Sequence, residues 1–237
     1  MQLTIDIGNT RSKWALFEGD QLVRCGYMTE GLPPEGAQAD IIVCATGNAD
    51  LHALGLEGEK VRRLTADMPL PITLDYATPE TLGPDRIAAA CGAWMLREEG
   101  CPQLIIDAGT CITIDYLDAA GVYHGGAILP GIDMKFRALH TFTAKLPLLE
   151  DVCSDELPIA GRSTRESLVA GVLTATRYEV AGFVSHYRQL EPALEVILTG
   201  GDSGRLLDGE GDYRIEPHLV MIGLNGIMNY RLKYEEK

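Results

Sequence analysis

The sequence has no apolar run approaching the roughly 18 to 20 residues that a membrane-spanning helix needs, and Met1 leads straight into a β-type run with no basic segment before it. No membrane association is expected, and the chain is expected in the cytoplasm. Basic residues are few: 20 Lys plus Arg stand against 34 Asp plus Glu, a net charge of −14, and such a surface repels a nucleic-acid backbone. Nucleic acid is therefore not an expected partner, and any phosphate contact must be made locally by a loop. No C-x-x-C pair occurs among Cys25, Cys44, Cys91, Cys101, Cys111 and Cys153, most of which lie in apolar runs, so they read as buried free thiols. His52, His124, His140, His186 and His218 lack ligand spacing, and no zinc site is expected. Neither G-x-x-x-x-G-K-[ST] nor G-x-G-x-x-G is present, which argues against a P-loop enzyme and a Rossmann dehydrogenase.

What is present is an internal repeat. Leu3-Thr4-Ile5-Asp6-Ile7-Gly8-Asn9-Thr10 returns as Leu104-Ile105-Ile106-Asp107-Ala108-Gly109-Thr110. A second β-type run follows each copy, Ser12 to Phe17 and Cys111 to Leu117, then a polar hairpin, Glu18 to Gln21 and Asp118 to Gly121. Strand, Asp-x-Gly turn, strand, hairpin and strand, written twice in 237 residues, imply two similar lobes facing each other, 1–103 and 104–237, with a ligand between them. Two opposed turns of this kind suit a nucleoside triphosphate.

Further along, Leu22 to Tyr27 completes an antiparallel meander, and Ile41 to Thr46 reads as a buried parallel strand ending in Gly47-Asn48 before a helix start. Ile72 to Tyr76 looks like another strand. Ile87, Cys91, Trp94 and Met95 recur at helical spacing over Asp85 to Glu99, with Pro84 suited to the first turn. A second meander spans Leu104 to Leu129. Gly125-Gly126 and Pro130-Gly131 mark a sharp passage into a helix reaching about Thr143. Glu150 to Gly161 reads as a surface excursion. Ser163-Thr164-Arg165-Glu166 is a capping box for a long helix, in which Gly171 and Gly182 would serve close helix packing. Val196 to Thr199 is a strand running into Gly200-Gly201-Asp202, and Pro217 to Leu232 is a terminal helix.

Four places could carry chemistry. In Asp6-Ile7-Gly8-Asn9-Thr10-Arg11-Ser12-Lys13, the glycine lets backbone amides approach a ligand, Lys13 adds positive charge, and Asp6 could hold Mg²⁺ or its waters. A plain hairpin turn accounts equally well for one such copy; the repetition argues for a ligand. Asp107-x-Gly109-Thr110 lacks a basic partner, so its amides and the Thr110 hydroxyl suit inner phosphates while Asp107 is available for a cation, or it is a tight turn alone. In Gly83-Pro84-Asp85-Arg86, Asp85 is either a general base kept ionised by a helix N-terminus or simply a helix cap, and Arg86 could clamp a carboxylate or phosphate. The glycines of Thr199-Gly200-Gly201 could let an adenine lie against the backbone, or form an ordinary strand-to-helix connection.

Taken together and in this order, Asp6-x-Gly8-Asn9-Thr10-x-x-Lys13, Gly83-x-Asp85-Arg86, Asp107-x-Gly109-Thr110 and Thr199-Gly200-Gly201 resemble the type III pantothenate kinases, within the superfamily of acetate and sugar kinases, Hsp70 and actin. Tyr76, the Gly125-Gly126 to Gly131 segment and Ser163-Thr164 add to the resemblance. It implies an α/β fold of two duplicated ribonuclease H-like domains of the actin/Hsp70/sugar kinase type, with mixed five-stranded sheets flanked by helices. It also implies transfer of the ATP γ-phosphoryl group to the primary hydroxyl of pantothenate, the first step of coenzyme A synthesis. Carried over by motif, Asp6, Ile7, Gly8, Asn9, Thr10, Arg11, Ser12, Lys13 and Thr110 would bind ATP, with Mg²⁺ held by Asp6, directly or through water. Asp85 would accept the proton. Tyr76, Gly83, Pro84, Asp85, Arg86 and Thr164 would contact pantothenate, and Asp107 would bind K⁺ or NH₄⁺. A homodimer is implied, and the helix opening at Ser163 is the candidate interface. Cys111 stands where the family often has Ala, and Pro84 removes an amide donor from the substrate loop. Alternatives are a kinase of the same superfamily for a sugar or small acid, and a catalytically silent relative acting as a transcriptional regulator.

Overall fold

Alternating and continuous apolar runs at the N-terminus form the strands β1 (Gln2–Ile7), β2 (Ser12–Glu18) and β3 (Gln21–Tyr27), an antiparallel meander. The apolar run at 41–45 lies in β4 (Asp40–Ala45), which pairs parallel with β1, and β5 (Val61–Arg63) follows, giving the order β3-β2-β1-β4-β5. In this computed structural model the described residues are 1–46, 51, 52, 54–56, 58–150, 152, 157–206 and 212–235; the Gly47-Asn48 turn, Cys153 and part of the 150–161 excursion lie outside them. Leu3, Ile5, Trp14, Leu16, Val43 and Leu56 form one buried cluster against this sheet. Each such aliphatic side chain contributes about 1.5–3 kcal/mol by leaving water. The edge position of β3 overturns one expectation: Cys25 is exposed there, whereas Cys44 and Cys91 are buried and Cys101 and Cys111 are partly so. All five described cysteines are free thiols.

The second meander is β7 (Gln103–Ala108), β8 (Cys111–Leu117) and β9 (Val122–Pro130), with β10 (Glu195–Thr199) parallel to β7 and a short β11 (Arg214–Ile215) beyond it. This sheet has six strands rather than the expected five, in the order β11-β10-β7-β8-β9-β6. The sixth is β6 (Thr73–Leu74), all that remains of the expected 72–76 strand, and it pairs parallel with β9 at Val122 and Tyr123. Gly125 and Gly126 lie inside β9, so the passage into the next helix is made by Pro130-Gly131 alone.

Helix α1 (Pro84–Leu96) starts where Pro84 marks it, since a proline at the first helical position gives up only an amide that would have no partner there. It is buried from Arg86 to Ala93, while Met95 of the expected apolar stripe is 42% exposed. Helix α1 packs against the terminal helix α6 (Leu219–Glu235). A Cβ on Gly92 would stand 2.2 Å from the Leu219 carbonyl oxygen, and one on Gly223 only 1.8 Å from that of Ala88. Glycine on both helices lets the backbones touch. The chain accordingly divides into two compact units, Met1–Cys101 with Asp115–Gly125 and His218–Lys237, and Pro102–Ile114 with Gly126–Pro217. A boundary at 103/104 follows from the repeat, yet α6 packs with the first unit because this glycine contact places it there.

In the second unit, α2 (Ile132–Thr141) follows Gly131. The long helix opens at α3 (Thr164–Val169), passes through a π-helical segment (Ala170–Thr174) and continues as α4 (Ala175–Leu190). Ser163 Oγ accepts the Glu166 amide at 3.2 Å, as a capping box requires, but Glu166 Oε2 accepts from Arg162 N at 2.6 Å, one residue outside it. A Cβ on Gly171 or Gly182 would meet nothing within 4 Å, so neither serves helix packing within the chain among the described residues. A four-residue helix, α5 (Ser203–Leu206), follows the glycine turn after β10.

Candidate active site

The first loop is built by three strands. β1 carries Asp6 opposite Lys13 of β2 and beside Cys44 of β4. Gly8 N–H donates to the Arg11 carbonyl at 3.2 Å, closing the turn, and a Cβ on Gly8 would stand 3.1 Å from that oxygen. Asn9, Thr10 and Arg11 are left exposed at the tip, and Ile7, Ser12 and Lys13 are half-buried. The Thr46 amide and hydroxyl both donate to the Ile7 carbonyl at 3.1 Å, tying the end of β4 to the loop. Burial, and after it the Asp85 carboxylate, push the Asp6 carboxyl up to about 6, while Lys13 and the Cys44 thiol pull it down. Burial likewise raises Asp85, and burial raises the Cys44 thiol beside these carboxylates. Lys13 offsets the charge of Asp6 and Arg86 that of Asp85, yet burial keeps both carboxyls raised, and their hard oxygens are the donors that Mg²⁺ takes.

Asp85 is the second residue of α1. Its Oδ1 accepts the Arg86 amide at 2.9 Å, and this fold-back explains Gly83, where a Cβ would lie 2.4 Å from that oxygen. The Gly83 carbonyl in turn accepts the Arg86 and Ile87 amides at 3.1 and 3.2 Å, so the turn is bound into the helix. Pro84, between them, is half-buried. Arg86 is 6% exposed and committed: Nε lies 3.1 and 3.2 Å from the two oxygens of Asp115, and Nη2 lies 2.5 Å from Oδ1. Asp115, 1% exposed, also accepts the Tyr123 hydroxyl at 2.7 Å. Tyr76 covers the pair, its ring centroid 6.0 Å from Arg86 Cζ and 6.2 Å from the ring of Tyr123. The structure thus brings Asp6, Lys13, Asp85, Arg86 and Tyr76 into the first unit, and adds Asp115, Tyr123 and Cys44, which sequence reasoning missed. A signal was present for Asp115, a charged residue in the otherwise β-type run Cys111 to Leu117.

The second unit carries the second loop. Gly109 N–H donates to the Cys111 carbonyl at 2.9 Å, and the Thr110 carbonyl accepts the Gly131 amide at 3.1 Å. Thr110 is exposed and Asp107 half-buried. β10 runs beside β7 with Thr199 in register with Asp107. Gly200, at φ +89°, would place a Cβ 2.3 Å from the Ala108 oxygen and 2.5 Å from Asp107 Oδ1, and Gly131 would place one 2.3 Å from the Thr110 oxygen. Gly200 is therefore needed by the chain itself, while a Cβ on Gly201 would meet nothing within 4 Å. The carboxylate and main-chain oxygens around Asp107 are again hard donors. Thr164 is exposed at the start of α3.

A profile described as type III pantothenate kinase matches residues 28–186. The type III pantothenate kinase of Phocaeicola vulgatus is 37% identical over 251 residues, covering 98% of this chain and 100% of the relative. That of Cytophaga hutchinsonii is 36% identical over 242 residues, covering 98% and 100%. Among solved structures, a protein named a Baf family transcriptional activator from Campylobacter jejuni superposes with a TM-score of 0.66 at 20% identity, covering 98% of this chain and 99% of that one. The activator of 2-hydroxyisocaproyl-CoA dehydratase from Clostridium difficile gives 0.57 at 14% identity, covering 100% and 97%. At such identities these structures speak for the fold alone, an α/β fold with two mixed sheets flanked by helices. With relatives matched from end to end at more than a third identity, this chain belongs to the type III pantothenate kinase family.

Proposed function

We propose that this protein transfers the γ-phosphoryl group of ATP to the primary hydroxyl of pantothenate, giving 4′-phosphopantothenate, the first step of coenzyme A biosynthesis. The observation that carries the chemistry is the Asp85 carboxylate, held at the start of α1 by the Arg86 amide and electrostatically coupled to Asp6 at the end of β1. Asp85 accepts the proton of the attacking hydroxyl, and burial, which raises its affinity for a proton, favours that role. Asp6 through Lys13 bind the ATP phosphates, with the amides of the Gly8 turn and the Lys13 ammonium facing the transferred group, and Thr110 adds a hydroxyl. Mg²⁺, when bound, supplies charge neutralisation on the phosphates, and Asp6 is the residue that would hold it, directly or through water. Asp107 would hold K⁺ or NH₄⁺. Tyr76, Gly83, Pro84, Arg86 and Thr164 contact pantothenate. Little covalent chemistry falls to the protein in such a transfer, so positioning and charge dominate the barrier.

The working form in this reading is a cytoplasmic homodimer joined along α3 and α4. In support, Gly171 and Gly182 have open space where side chains would be, and Tyr178 between them is 61% exposed. No described helix is long and apolar enough to cross a membrane. The decisive experiment is coupled measurement of ADP release from MgATP with pantothenate, with a panel of sugars and small hydroxy acids, and with no acceptor. Turnover specific to pantothenate is expected. Turnover with another acceptor moves the chain to a different substrate, and no turnover with any acceptor returns it to the silent-relative reading.

A further inference from the structure

The Asp115–Tyr123–Arg86 cluster is more elaborate than packing requires. Asp115 and Tyr123 come from neighbouring strands, β8 and β9, and both are almost fully buried. Asp115 grips the Nε and Nη2 side of the guanidinium with both of its oxygens, a geometry that fixes the plane of the group as well as its position. The Tyr123 hydroxyl donates to the same oxygen, Asp115 Oδ1, at 2.7 Å. The main chain of Tyr123 reaches the substrate loop too, since its carbonyl accepts the Asp75 amide at 2.9 Å, one residue before Tyr76. Gly125, at φ +82°, stands where a Cβ would be 3.1 Å from the Tyr76 ring, so β9 is shaped to receive that ring. An arginine beside a carboxylate substrate would otherwise be a mobile side chain that must be ordered on binding.

Resting on the pantothenate kinase reading above, we propose that Asp115 and Tyr123 are positioning residues for the phosphoryl acceptor. They hold Arg86, and with it the Arg86 amide that orients Asp85 and the ring of Tyr76, in the arrangement the acceptor meets on arrival. Asp115 and Tyr123 act through Arg86 and need not touch the acceptor themselves. A merely structural cluster would lose stability without selectivity when cut; a positioning cluster loses the acceptor and spares the nucleotide.

The test is steady-state kinetics on the full chain, wild type against Tyr123→Phe, Asp115→Asn, Arg86→Lys and the Arg86→Lys/Tyr123→Phe double variant, with melting temperatures measured in parallel. Tyr123→Phe removes one hydroxyl and leaves the packing, so it is expected to fold even if Asp115→Asn does not. It should raise KM for pantothenate by about tenfold, the range for one hydrogen bond to a charged group, and leave KM for ATP within about twofold. In the Arg86→Lys background the same change should have almost no further effect, because its route has already been cut. Unchanged pantothenate KM in Tyr123→Phe, parallel losses for both substrates, or independent effects of Arg86→Lys and Tyr123→Phe would each overturn the proposal. A wild-type protein that does not turn over pantothenate overturns the functional reading and this inference with it, whereas an active wild type with unaffected variants removes this inference alone.

Discussion

Replacing Asp6 by Asn should make the free protein more stable while disabling it. An acid whose folded pKa stands above its unfolded value favours the unfolded chain wherever it must ionise. Asp6 rises from an ordinary 3.8 to about 6. There is accordingly no penalty below pH 3.8, a growing one through the interval, and the full penalty above about pH 6. At about 1.36 kcal/mol per pH unit, the interval from 3.8 to about 6 corresponds to about 3 kcal/mol. For a chain of this size that is about 6–12 °C in Tm. Asn keeps the shape and an acceptor for the Cys44 thiol but carries no charge. Melting curves in EDTA at pH 8, 7, 6 and 5 should find Asp6→Asn more stable by up to this amount at pH 8, with the gap about halved at pH 5. MgATP should then raise the Tm of the wild type far more than that of the variant, since a ligand stabilises only the state it binds. An Asn variant no more stable than wild type at pH 8, or a gap that fails to narrow toward pH 5, would refute the account of Asp6 as an electrostatically strained ligand.

The remaining expectations concern both units. Asp85→Asn should lower kcat by about 10²–10⁴ with an unchanged circular dichroism spectrum, and wild-type turnover in that variant would take the base role away from Asp85. Gly223→Ala places a methyl group 1.8 Å from the Ala88 oxygen, so α1 and α6 must separate, and thermal melts should record a loss of about 1–3 kcal/mol or more; an unaltered Tm would mean that the contact of these helices is not tight. ATP affinity measured by calorimetry in K⁺ and again in Na⁺ should differ in the wild type and not in Asp107→Ala, and indifference of the wild type to the two salts would count against a cation at Asp107.

Legibility in the sequence followed range. The turn after β1, the start of α1 at Pro84 and the cap at Ser163 are each decided within three or four residues, by glycine, proline and hydroxyl chemistry that a sequence displays openly. The parallel placement of the 41–45 run was legible because a short, wholly apolar strand needs cover on both faces. Arg86 could be named as a site residue from its place beside Asp85, but its partner lies 29 residues away, and nothing in the spacing selects Asp115 over other acids. Gly200 offered a similar ambiguity: a glycine after a strand can face a ligand or its own chain, and only the 2.3 Å approach to Ala108 decides for the chain.

The sequence by itself determined that this protein has two Asp-x-Gly loops on twin meanders and a carboxylate at a helix start, because local backbone preferences and the alternation of apolar residues act over a few positions. Only the tertiary structure decided which helix closes the first unit, what holds Arg86, and why Asp6 resists ionisation. Those outcomes depend on burial, on contacts between distant residues, Gly92 with Leu219 and Arg86 with Asp115, and on the repulsion of Asp6 by Asp85, and the energy of such interactions comes into being only when the folded chain excludes water from them.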